Sequence, residues 1–295
     1  MSATTVCFIS EKGGVGKTTA VYHIGAGLQR WHQKNVLFVD ADYQRGGLTV
    51  RLLPSLLEHF KDGTAPGMTV YHVFQALYSA QTVFPVPEVQ QTPIGIDLLP
   101  ADPRLSGVAA EKLPTSNNIR ANNQLLFRHL GIMREVLKPH IENYDYILID
   151  THPETSELMR TVIYASDYAI SPVKLDEQSS VGVPSAIEAV NAVNEDVAAL
   201  GGSLNVPNDY SPTQYAGAIG MMAREWGVRL KRTERSQYRR LGATGGIFEA
   251  YVTEGDGIRK AAEQRCPVYD IGGANAKKQT AQFRDVVTEF LDKCV

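Results

Sequence analysis

Eight residues near the start of the chain, Lys12-Gly13-Gly14-Val15-Gly16-Lys17-Thr18-Thr19, form a glycine-rich phosphate-binding pattern. The apolar run Val6–Ile9 precedes it and a helical pattern from Ala20 follows. Strand, glycine turn and helix together turn such a pattern into a site. The amides of the turn converge at a helix N-terminus, where the helix dipole also favours an anion. Gly13, Gly14, Val15, Gly16, Lys17, Thr18 and Thr19 are therefore expected to hold phosphates. Lys17 would meet the β- and γ-phosphates, and the Thr18 hydroxyl would ligate Mg²⁺. The expected ligand is a nucleoside triphosphate.

The rest of the chain keeps the rhythm of a parallel sheet. Apolar runs at Val6–Ile9, Val36–Val39, Ile96–Leu99, Tyr146–Ile149, Tyr168–Val173, Ala216–Met222 and near Tyr251 alternate with helical patterns. Few polar residues interrupt these runs, which suits strands covered on both faces. Helices are expected at about Lys17–Trp31, Val70–Tyr78, Gln124–Ile141, Thr155–Ala165, Pro184–Asn194, Thr233–Leu241, Ile258–Gln264 and Ala276–Lys293. Loops are expected at Lys61–Gly67, Leu113–Asn123 and Gly201–Gln214. The fold class is α/β: a single doubly wound, mostly parallel sheet with helices on both faces, in one domain over residues 1–295. No N-terminal helix-turn-helix domain is expected, because the phosphate loop begins almost at once. Three scattered cysteines without a Cys-x-x-Cys pair fit a reducing cytoplasm, and no segment reads as a signal peptide or a membrane span.

Two more strand ends carry carboxylates. Asp40-Ala41-Asp42 closes the second strand, and Asp150 closes Tyr146–Ile149 in a Walker B pattern. In open α/β sheets such edges bind ligands. Asp150 would serve Mg²⁺ through water. Thr151 stands where many ATPases carry a water-orienting glutamate, so the water must be positioned from elsewhere. Asp42 is expected to do so, with Asp40 supporting the Mg²⁺ shell; the two roles are exchangeable on sequence grounds. The segments 42–46 and 150–154 read as switches that respond to the γ-phosphate. Arg45 reads as a contact to phosphate or to a partner subunit, or, at least as well, as a surface residue, and His152 as a packed switch residue rather than a base.

Lys12 narrows the class. It lies five residues before Lys17, a spacing poorly suited to folding back on its own phosphates but able to reach across a subunit boundary. The string KGGVGKTT resembles the deviant Walker A box of the ParA/MinD family, and the chain as a whole resembles its ParA/Soj-type partition ATPases. Leu98-Leu99-Pro100-Ala101, the 165–173 strand segment and Glu263–Tyr269 extend the likeness. Tyr43, Arg45 and His152 depart from the family's usual switches. The resemblance implies an ATP hydrolase that uses Mg²⁺ and forms a homodimer around two ATP molecules, with Lys12 acting on the partner's triphosphate. It also implies a ParB-like stimulating or cargo-adaptor protein, slow hydrolysis, and an adenine near Met222.

Net charge is −3, so any attraction to nucleic acid must be local. Arg224, Arg229, Lys231, Arg232, Arg235, Arg239 and Arg240 face only Glu225 and Glu234 in one stretch. On a helix, Arg232, Arg235 and Arg239 share a face. Such a stripe binds phosphates without reading bases; the plain alternative is a solvated helix face. The resemblance favours nonspecific DNA and a nucleoid location. A MinD-like membrane ATPase and a metabolic P-loop enzyme are the rival readings. The last helix pairs its apolar stripe with mixed charges, which suits core packing better than a membrane anchor.

Overall fold

The computed structural model describes residues 2–44, 47–110, 113, 116–176, 180–205, 210–227, 229–244 and 246–295. Its strands are β1 (Thr4–Phe8), β2 (Val36–Ala41), β3 (Gln90–Gln91), β4 (Asp97–Leu99), β5 (Tyr146–Thr151), β6 (Tyr168–Lys174), β7 (Gln214–Ala223), β8 (Glu225–Trp226), β9 (Arg229–Leu230) and β10 (Ile247–Thr253). Eight form one sheet in the order β10-β7-β6-β1-β5-β2-β4-β3, and β8 and β9 make a separate hairpin. The pairs within the large sheet are parallel except β3 with β4. Chain order reverses direction at β1, the strand that leads into the phosphate loop. That is the switch point at which open α/β sheets bind ligands.

Alternation along β1 explains why the sheet is covered on both sides. Val6 and Phe8 join a core with Ile24, Phe283 and Val286, from the helices Lys17–His32 and Ala274–Lys293. Cys7 and Ile9 join the opposite core with Val162 and Val193, from the helices Glu157–Tyr164 and Gly182–Leu204. The Lys17–His32 helix is fixed from below the site by His23. This ring is fully buried, stacks on Phe283 at 4.4 Å, and accepts the Val268 N–H at its Nε2. Its Nδ1 lies 2.8 Å from the Thr19 carbonyl, which requires the Nδ1–H tautomer. Burial pushes its pKa down to about 3, so the ring stays neutral.

Several boundaries differ from the sequence reading. The helix expected over Gln124–Ile141 starts at Ile119 and divides at Gly131 into Ile119–Leu130 and Ile132–Leu137. Asn118 sets the earlier start, its side chain accepting the Ala121 N–H at 3.2 Å as an N-cap. That shortens the expected loop at Leu113–Asn123. The Gly182–Leu204 helix runs well past Asn194, into the expected loop at Gly201–Gln214, and ends at Asn205 in the left-handed conformation. Short helices at Leu48–Leu52, Leu57–Lys61 and Leu105–Ala110 went unread. Each is too short to display a helical period.

Candidate functional site

The phosphate loop leaves β1 and enters the Lys17–His32 helix. Gly14 (φ 71°) and Gly16 (φ 94°) adopt conformations that side chains resist. A Cβ on Gly16 would also come within 3.3 Å of the Met221 Cβ. No acidic side chain sits in the first turn of the helix, which leaves its positive end for an anion. Lys12 is half-buried, its N–H donating to Ser10 Oγ at 3.2 Å.

Four charged side chains converge beside this loop. Cross-strand register sets Asp150 directly opposite both Phe8 of β1 and Asp40 of β2. Lys17 is buried among Asp150, Asp42 and Asp40; desolvation lowers its pKa and the three carboxylates oppose that shift. Burial pushes Asp150 up to about 6, against the pull of Lys17 and the Thr18 hydroxyl. Asp40 is raised well above the usual carboxylate range, first by burial and then by its two aspartate neighbours. Asp42 is raised by burial, with the Gln44 N–H, Lys17 and His152 acting the other way. Three buried carboxylates around one ammonium leave excess negative charge. A divalent cation would balance it.

The residues fit Mg²⁺. Thr18 Oγ1 donates to Asp150 Oδ2 at 2.6 Å, and the buried Asp150 Oδ1 has no hydrogen-bond partner among the described residues. A hydroxyl and one carboxylate suit an ion that takes its other ligands from water and phosphate oxygens. Asp40 is held differently. Its Oδ2 accepts both the N–H and the hydroxyl of Thr49 at 2.6 Å, while Oδ1 accepts the Asp42 N–H at 3.0 Å. Asp40 thus braces the segment that carries Asp42. Thr49 also accepts the Ala101 N–H at 2.8 Å. Nothing in its sequence context marks it, because its partners come from two other strand ends.

Thr151 cannot take the missing glutamate's place. It is buried, and its hydroxyl donates to the Phe8 carbonyl at 2.7 Å, turned into the sheet. Asp42 is 8% exposed and its Oδ1 accepts the Gln44 N–H at 3.0 Å. The two expected switches touch one another. Tyr43 stacks on His152 with ring centroids 4.4 Å apart, and its hydroxyl donates to Glu154 at 3.1 Å. His152 Nδ1 lies 3.3 Å from Glu154 Oε2, inside ion-pair range but outside hydrogen-bond geometry, so the stack is the stronger contact. The Thr155 hydroxyl, just after the second switch, donates at 2.9 Å to Glu11, just before the phosphate loop. Arg45 and Gly46 lie outside the described residues. Both departures from the resembled family pattern that can be located, Tyr43 and His152, are therefore partners of each other.

Met222, at the end of β7, has φ 51° and turns its side chain toward Gly16. It lines a cavity of about 230 Å³ with Lys174, Asp176 and Glu254.

The basic stretch is more ordered than its sequence suggests. Glu234 is buried and takes Nε of the exposed Arg224 at 2.6 Å, so the charge of Arg224 is already paired. Glu225 is paired with Lys278. Arg229, Lys231, Arg232, Arg235, Arg239 and Arg240 are all exposed, the last four on the Arg232–Thr244 helix. Both acids of the stretch are thus taken up, and six positive side chains face outward.

A family profile described as an AAA domain matches residues 3–200. A ParA family protein of Chlamydia pneumoniae is 33% identical over 167 residues, 56% of this chain and 56% of that protein. The sporulation initiation inhibitor protein Soj of Bacillus subtilis is 29% identical over 192 residues, 64% of this chain and 66% of that protein. The chain thus spans between about half and two thirds of the length of these relatives. In fold it is similar to Cyanothece McdA solved with ATP, at TM-score 0.72 and 20% identity, covering 99% of this chain and 97% of that one. It is also similar to cobyrinic acid a,c-diamide synthase of Mycobacterium smegmatis solved with ADP and magnesium, at TM-score 0.65 and 20% identity, covering 98% and 96%. With its profile match over two thirds of the chain and its deviant Walker A loop in place, the chain belongs to this P-loop family as a ParA/Soj-type member.

Proposed function

We propose that the chain is an ATP-dependent, dimerising switch that hydrolyses ATP slowly and binds DNA nonspecifically to partition or position a cargo. The observation that carries this reading is the carboxylate cluster around Lys17, with Thr151 turned away from the site. Such a centre binds a nucleotide and Mg²⁺ well but leaves the attacking water poorly held. The loop amides, Lys17 and Thr18 grip the phosphates. Thr18 and Asp150 hold Mg²⁺, which would neutralise charge on the triphosphate. Asp40 braces the loop behind them, Met222 packs on the base, and Asp42 orients the water. Lys12 reaches the triphosphate of a second copy, and a ParB-like partner completes the site and speeds turnover.

In the cycle, ATP brings two copies together and the joined basic surfaces bind nucleoid DNA. Hydrolysis relaxes the Tyr43–His152 contact and releases both. No helix among the described residues is long and apolar enough to cross a membrane. The terminal helix buries Phe283, Val286, Val287 and Phe290 in the core, which supports DNA over a bilayer as the matrix. Light scattering on size-exclusion fractions, with ATP, ADP or neither, tests the switch. Wild type is expected to dimerise only with ATP and Mg²⁺, and Lys12→Ala to stay monomeric while still binding nucleotide. Equal dimerisation of the variant would remove the trans role of Lys12. Turnover of the protein alone at ~10 per second or more would refute the slow switch.

A further inference from the structure

The β8–β9 hairpin has two faces with different surroundings. Residues directly opposite in an antiparallel pair share a face, and here the pairs are Glu225 with Leu230 and Trp226 with Arg229. The first pair points inward. Leu230 is buried, and Glu225 accepts the Tyr251 hydroxyl at 2.7 Å and pairs with Lys278. The base of the hairpin is tied down as well. The Lys231 N–H donates to the Arg224 carbonyl at 3.0 Å, and Arg235 Nη2 donates to the Leu230 carbonyl at 3.0 Å.

The second pair points outward. Trp226 is 85% exposed, the highest value for a large hydrophobic side chain among the described residues, and Arg229 is exposed beside it. An indole is among the side chains with most to gain from burial, yet the anchored hairpin holds this one in water. Lys231 and Arg232, both exposed, extend the positive charge from Arg229. A fixed aromatic face set in positive charge is complementary to a polyanion that carries π faces of its own.

We propose that Trp226 and Arg229 form a base-stacking contact, so that the basic surface binds single-stranded or locally melted DNA more tightly than uniform duplex; this rests on the DNA reading above. Trp226 stacks on an exposed base while Arg229, Lys231 and Arg232 hold the adjoining phosphates. Duplex keeps its bases stacked on one another and offers the indole only its ends and flexible steps.

The full chain with Mg²⁺ and a non-hydrolysed ATP analogue is titrated into a labelled mixed-sequence single strand and into the matching duplex, across a salt series. Trp226→Ala is expected to weaken single-strand binding about 5- to 150-fold, and duplex binding by less. Its salt slope should be unchanged, because no charge is removed. Trp226→Phe should keep most of the affinity, and the exposed position makes both variants safe for folding. Wild-type indole emission should be quenched by the single strand, and Trp226→Phe, which retains only Trp31, should lose that quenching. Unchanged single-strand affinity in Trp226→Ala, or no quenching, overturns the proposal. So does a blue shift on phosphatidylserine vesicles without quenching by DNA, which would give the indole to a bilayer. Wild type that binds no DNA in any nucleotide state fails the DNA reading and the stacking contact together; normal binding indifferent to Trp226 fails the stacking contact alone.

Discussion

Replacing Asp150 by asparagine should stabilise the protein without nucleotide while disabling its response to Mg²⁺ and ATP. The Asp150 carboxyl is fully buried and its pKa stands at about 6 against a reference of 3.8. That difference is worth on the order of 3 kcal/mol. The folded-state pKa is raised, so the contribution to stability is complete below pH about 3.8 and is lost as pH rises through about 6. Asparagine still offers an oxygen to the Thr18 hydroxyl but carries no charge to desolvate. Relief of its repulsion on Asp40 adds to the gain, and loss of its attraction for Lys17 subtracts. Near pH 7.5 the variant should be more stable by about 1–3 kcal/mol, or roughly 2–5 °C in Tm. By pH 4 the two proteins should converge. Thermal unfolding in EDTA between pH 4 and 8 reads this directly. Added Mg²⁺ and ATP should then stabilise the wild type by about 2.7 kcal/mol at a hundredfold excess over Kd, and the variant far less. A variant less stable than wild type near neutral pH, or a gap that does not close in acid, would refute the reading of Asp150 as a carboxylate held at a cost for Mg²⁺.

Asp42→Asn should retain nucleotide binding and lose about 10²- to 10⁴-fold in turnover, measured as phosphate release; a loss below threefold would move water positioning to another residue. His152→Ala should loosen the first switch as well as the second, with amide exchange near Tyr43 rising about 2- to 12-fold, because the stack joins them. Exchange confined to residues 151–155 would mean that the switches are independent. His23→Ala leaves the buried Val268 N–H unpaired and removes the ring stacked on Phe283, and should cost about 2–4 kcal/mol in denaturant unfolding. Because burial pushes the His23 pKa down to about 3 while the unfolded chain titrates near 6.5, wild-type stability declines below about pH 6.5, and that cost should be largest near pH 8 and smaller by about 2 kcal/mol at pH 5.

Seven of the sheet's eight strands were legible because each is a short apolar run with a turn at its end, whereas β3, two exposed glutamines, carries no such signal; the register then brings Asp40, Asp42 and Asp150 to one edge. Thr18 and Lys17 followed from the loop pattern alone. What the sequence could not supply is pairing between strand ends. Thr49 under Asp40, and Tyr43 against His152, come from segments that no periodicity connects. Glu234 was counted against the basic stretch because a linear count ignores direction; the structure turns it inward onto Arg224, leaving the outer face more positive than the sum. The early start at Ile119 was missed since its cap, Asn118, lies in a stretch whose polar composition reads as loop. His23 gave no signal, because its partners at Val268 and Phe283 lie about 250 residues away.

Nucleotide control of DNA binding is the centre of this account, and fluorescence anisotropy on mixed-sequence duplex tests it most directly. The protein is titrated with ATP and Mg²⁺, with ADP, or with neither, over a salt series, beside Arg232→Ala/Arg235→Ala. Binding in ATP alone, with a steep salt slope that the double variant lowers by about two phosphate contacts, is the predicted result. Binding that is equal in all three states, or absent from all of them, would contradict it.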